Sequence, residues 1–67
     1  MEKILINWLK DYTLIDNISI DAKFDDLNFD LFDQAMTIDF VKKTFNKNIN
    51  GNTHWYNTIR ELLNDIA

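Results

Sequence analysis

The side chains that could do chemistry are few and badly placed for it. One histidine, His54, and one serine, Ser19, stand in a chain with no cysteine. A metal centre or an activated nucleophile at His54 would need carboxylate partners that the sequence does not gather around it. Thr37, Thr44, Thr53 and Thr58 are no better placed, and the pair Asp25-Asp26 lacks the further oxygen ligands a cation needs, so it reads as a solvated loop. No catalytic residue and no metal site are expected, and the chain does not read as an enzyme.

One octapeptide carries more information than these residues: Asp26-Leu27-Asn28-Phe29-Asp30-Leu31-Phe32-Asp33. It resembles the prosthetic-group motif of acyl carrier proteins, which reads D-L-G-x-D-S-L-D. The likeness continues through Asp30, Asp33, Phe45 and Ile49, resumes in Thr58-Ile59 and Leu62-Leu63-Ile66, and takes in Phe24 and the apolar set of residues 4–12 upstream.

The resemblance implies an all-α fold: a small four-helix bundle of three long helices and one short, with a long first loop. It also implies phosphopantetheine on a serine at the start of the second helix. Here Leu31 stands at that position, flanked by Asp30 and Phe32, and an alkyl chain has no oxygen to attack the pyrophosphate of coenzyme A. Ser19 lies in the preceding loop, without a following helix start to receive a phosphodiester. No cofactor is therefore expected, phosphopantetheine entering only if Leu31 replaces the serine of a working carrier.

The elements that must position this segment follow from hydrophobic spacing. Ile4, Leu5, Trp8, Leu9 and Tyr12 form one stripe of a three-turn helix over residues 2–12. Residues 13–30 lack helical spacing. Ile18, Ile20, Ala22 and Phe24 alternate as a strand would, with no second strand to pair, so this segment reads as a long loop anchored by its apolar side chains. Asn28 takes the place of the family's glycine at a turn, a position Asn enters readily.

Asp30 is the expected N-cap of a second helix running to about Asn46, with Asp33 adding negative charge at the positive end of the helix dipole. Thr37, Ile38, Phe40, Val41 and Phe45 fall on its core face. Asn50-Gly51 marks a turn, and residues 52–56 are read as a short third helix. Thr58 to Glu61 reads as a capping box, and Trp55, Ile59, Leu62, Leu63 and Ile66 recur at the spacing of a last helix.

A length of 67 residues suits a single domain, 1–67, with one small core. No stretch approaches the roughly 20 apolar residues that span a bilayer, and the first residues do not read as a secretory leader. A cytoplasmic location without membrane contact is expected, and Asn17-Ile18-Ser19 is a chance match to the glycosylation pattern. The net charge of −4 argues against a nucleic-acid partner. Residues 16–39 hold seven acids against Lys23 alone, whereas Lys42, Lys43 and Lys47 follow at once.

The remaining surface of the second helix is unusual. Leu31, Phe32, Ala35 and Met36 make its first two turns apolar beside Asp39, Lys42 and Lys43, and Phe29 precedes them. This is either an exposed patch for a partner, or Leu31 and Phe32 fold against the long loop and Met36 packs under the third helix. Carrier enzymes meet this face mainly through acidic residues, so Met36, Lys42 and Lys43 imply a different and more apolar protein partner. The expected role is a non-catalytic interaction or regulatory component tied to fatty-acid, polyketide or peptide-synthetase biosynthesis. The alternatives are a genuine carrier whose serine is replaced by Leu31, and a homo-oligomer that uses the apolar face on itself.

Overall fold

The computed structural model describes residues 1–47 and 56–66. Within them the chain is helical: α1 (Glu2–Thr13), α2 (Leu31–Phe45) and α3 (Ile59–Ile66), with one 3-10 turn at Phe24–Leu27 between the first two. Among the described residues there is no strand beyond an isolated antiparallel bridge between Lys23 and Thr58. The expected short helix over 52–56 lies outside the described residues except for Tyr56, which is buried and not helical.

Leu5 and Leu9 of α1, Phe24, Val41 of α2, and Ile59 and Leu62 of α3 are fully enclosed, and Phe29, Tyr56 and Ile66 close the core around them. The stripe predicted on α1 is rotated by its neighbours. Ile6 packs against the core on the Leu9 side, and Ile4 on the opposite edge remains 49% exposed. Tyr12 bonds to Asp33, and one turn back Trp8 stacks on Phe40 at 4.8 Å. Going down α1 while going up α2, these contacts make the two helices antiparallel.

The loop of residues 14–30 begins with a cost. Leu14 ends α1 in the left-handed region (φ 61°), its N–H donating to Lys10 C=O at 2.8 Å, with its side chain 86% exposed. A bulky residue gains nothing there that glycine would not supply without strain. Asn28 (φ 60°) and Asn46 (φ 52°) take the same conformation after the 3-10 turn and after α2, positions that suit Asn.

The strand-like alternation at residues 18–24 does find a partner, though no second strand was expected. Phe24 N–H donates to Asn57 C=O, Ile59 N–H to Ala22 C=O and Arg60 N–H to Ile20 C=O, at 2.9, 3.2 and 2.9 Å. Backbone donors at a helix start lack intrahelical partners, and here the carbonyls of the loop accept them. The loop thus caps α3, and Arg60 clasps it from outside, donating from Nε and Nη2 to the two oxygens of Asp21 at 2.6 and 3.3 Å.

Among the described residues two polar side chains, Gln34 and Thr37, are buried in this core, and both are satisfied. Thr37 donates to Asp33 C=O at 2.9 Å. Gln34, 3% exposed, grips the backbone of Tyr56 from both sides: its Oε1 accepts Tyr56 N–H at 2.8 Å and its Nε2 donates to Tyr56 C=O at 3.2 Å. That amide ties α2 to the segment entering α3.

Candidate functional site

The start of α2 is held by its own capping residues and by α1. Asp30, in extended conformation, accepts Asp33 N–H on its carboxylate at 2.9 Å, and Asp33 returns the bond by accepting Asp30 N–H at 3.0 Å. This reciprocal capping box goes further than the single cap read from sequence. The free oxygen of Asp33 accepts the Tyr12 hydroxyl at 2.7 Å, so α1 braces the same carboxylate. The Asp30 backbone N–H, then the Tyr12 hydroxyl, hold the Asp33 carboxyl below the usual carboxylate range, while the Tyr12 hydroxyl is raised by its bond to that anion.

Phe29 was expected on the outward face and is instead 8% exposed. It lies in the extended approach to the cap, where the chain turns its ring inward onto Phe24 (centroids 5.5 Å apart) and the edge of Tyr12 (5.7 Å). Between the end of α1, the 3-10 turn and the start of α2 an open cleft of about 380 Å³ remains, with Tyr12, Ile15, Asn28 and Asp33 on its walls.

Leu31 occupies the first helical position and is 75% exposed, and Phe32 beside it is 67% exposed. Met36 is 40% exposed, and Ala35, Asp39, Lys42 and Lys43 are exposed as well. At 100° per residue these seven side chains lie within one arc of about 140°, opposite Gln34, Thr37 and Val41 in the core. Asp39 and Lys43 pair across one turn at 3.1 Å. The outward set is therefore a single face, apolar in its first two turns and charged in the next.

The other nucleophiles stand elsewhere. Ser19 is 12 positions ahead of Leu31, its hydroxyl oxygen accepting Asp21 N–H at 3.1 Å in a turn. Thr37 is enclosed, Thr58 accepts Glu61 N–H at 3.2 Å at the start of α3, and His54 and Thr53 lie outside the described residues. Glu61 reaches one residue past its box partner, accepting Asn57 N–H at 2.9 Å. Among the described residues no three acidic or histidine side chains converge as a metal site would require, and no helix is long and apolar enough to cross a membrane.

Sequence spacing did not single out Ile4 or Tyr12 as surface. The signal was available in Ile6, whose partial burial on the Leu9 side swings the core axis of α1 and leaves Ile4 at the rim; Tyr12 stays on the core side of the helix and is 37% exposed in its last turn. No family model matches the chain, and no curated protein and no solved structure matches it.

Proposed function

We propose that the protein is an acyl-carrier-like domain that carries no acyl group and works through protein contacts, as a scaffold or regulator in fatty-acid, polyketide or peptide-synthetase-type biosynthesis. One observation carries this reading. The start of α2 is fully built, with its Asp30–Asp33 box and its Tyr12 brace, and it presents Leu31 outward where a carrier would present a serine.

A helix start ordinarily offers backbone N–H groups and a favourable dipole to an anion; here the Asp30 and Asp33 carboxylates already supply the negative charge. Leu31 offers neither a nucleophile nor a polar atom, which leaves contact as its use. The long loop anchored by Ile18 and Phe24, and the left-handed Asn28 ahead of the cap, support the same reading. Met36, Lys42 and Lys43 would steer away enzymes that recognise an acidic second helix.

The test is intact mass after incubation with coenzyme A and a broad-specificity phosphopantetheinyl transferase, on wild type and Leu31→Ser side by side. Gain of the arm by Leu31→Ser alone supports a carrier scaffold without its attachment residue. If neither protein gains it, the carrier reading falls. Gain by the wild type overturns the loss of cargo and points to another hydroxyl.

A further inference from the structure

The apolar surface of α2 does not stop at the edge of that helix. Asp33, Met36 and Phe40 follow one another at i, i+3 and i+7 along the side that meets α1, where Tyr12 bonds Asp33 and Trp8 stacks between Tyr12 (4.9 Å) and Phe40 (4.8 Å). Along this seam Ile4, Tyr12, Phe32 and Met36 are exposed, and Trp8 and Phe40 are only partly covered. Scattered exposed apolar residues need no account. A run spanning two adjacent helices does, because contiguous apolar surface of this kind marks an interaction site.

Charge along the surface selects the occupant. Asp30 and Asp33 stand at the start of α2 with Asp25 and Asp26 just before them, and Lys42 and Lys43 occupy its last turn with Lys47 beyond. The acidic and basic ends are separated by about 12 residues, roughly 18 Å along a helix rising 1.5 Å per residue. Their midpoint falls at about the level of Met36, one residue from Ala35. A uniformly basic partner would meet Lys42 and Lys43 at one end, and a uniformly acidic partner would meet the aspartates at the other.

We propose that a second copy of this chain covers the α1–α2 face. The copies pair about a two-fold axis passing near Ala35 and Met36, so that their α2 helices run antiparallel and the aspartates of each face Lys42 and Lys43 of the other. A two-fold contact must be self-complementary, and with the α2 helices antiparallel the acids at each helix start lie against the bases in the last turn of the other copy, with Asp39 standing between the apolar turns and Lys42. Ala35, with the smallest side chain on this face, sits where the two helices come closest. Lys43 needs no large rearrangement to join, because its pair with Asp39 is exposed and of the kind that contributes little. The inference uses the exposed face and its charge order, and it stands whether or not the chain is carrier-like.

The experiment is sedimentation equilibrium from micromolar to millimolar protein, at low and high salt, on wild type, Phe32→Lys and the double variant Lys42→Glu/Lys43→Glu. The wild type is expected to move from monomer mass to twice that mass as concentration rises. Phe32→Lys stays monomeric while keeping the wild-type thermal midpoint in dilute solution, because Phe32 lies outside the core. The double variant dissociates at least about tenfold more readily at low salt, and the difference shrinks at high salt as exposed charges are screened. A wild type that stays monomeric at millimolar concentration overturns the proposal and leaves the face to an unrelated protein. A dimer that tolerates all three substitutions overturns the antiparallel arrangement.

Discussion

Replacing Gln34 by Leu tests the joint between α2 and the entry to α3 with little change in volume. The substitution leaves Tyr56 N–H and C=O, which Gln34 satisfies at 2.8 and 3.2 Å, without partners in a residue only 5% exposed. Each unsatisfied buried group costs about 1–3 kcal/mol, so the pair should cost about 2–6 kcal/mol. A chain of this size is expected to have roughly 3–10 kcal/mol of stability in all, so the variant should sit near the edge of folding. Urea unfolding followed by tryptophan fluorescence and circular dichroism reads this directly, and the thermal midpoint should fall by at least about 10 °C. Gln34→Glu provides an internal control. It keeps the acceptor for Tyr56 N–H but loses the donor to Tyr56 C=O and buries a charge, so it should be weak at neutral pH and recover partly on acidification, when the carboxyl regains a proton to donate. A Gln34→Leu protein within about 0.5 kcal/mol of wild type would show that the amide clamp does not hold the two segments together.

Leu14→Gly should stabilise the fold by about 0.5–1 kcal/mol, because the left-handed helix end favours glycine and the Leu14 side chain packs on nothing; a lower midpoint in thermal melts would contradict this. The Asp33 and Asp21 carboxyls are held below their ordinary range when folded, so the stability they contribute is complete above about pH 4 and is lost as pH falls through their lowered values. Melts between neutral and strongly acidic pH should therefore flatten in Asp33→Asn and in Arg60→Gln, and acid curves parallel to wild type would refute the assignment. Tyr56, pushed up to about 12 first by burial and then by its 2.7 Å bond to Asp65, should be the last tyrosine to ionise in ultraviolet titration. Its contribution is complete below about pH 10 and disappears as pH rises through about 12; Tyr56→Phe should delete the late phase, and a wild type whose tyrosines both titrate near 10 would refute it.

Hydrophobic periodicity and cap chemistry made the long helices legible. Leu5 and Leu9, Thr37 and Val41, and Ile59, Leu62 and Ile66 lie in the core where spacing places them, and Asp30 caps α2. Whether Leu31, Phe32 and Met36 face outward was not legible, since the spacing fitted packing against the long loop and the expected short third helix as well as exposure, and the structure leaves all three exposed. What spacing could not supply were tertiary choices. Phe29 turns inward because Phe24 and Tyr12 offer it rings to pack on, and Gln34 enters the core because the backbone of Tyr56 needs two partners. The alternation at residues 18–24 was visible, but its partner was hidden. The residues it meets lie at the entry to α3, where a helix start rather than a strand supplies the donors.

That last arrangement imposes an order on folding. A helix of eight residues is too short to persist in water by itself, and the carbonyls of Ile20 and Ala22 that receive its first donors belong to a segment more than 35 residues earlier. On a ribosome, α1 and α2 can meet while the rest of the chain is still being made, because Tyr12 and Asp33 are only 21 residues apart. α3 must wait until residues 59–66 have emerged, well after α1 and α2. Nucleation is thus expected in the antiparallel pair, with α3 condensing onto a loop already laid down. Destabilising changes at Leu62 or Ile66 should then accelerate unfolding far more than they slow folding.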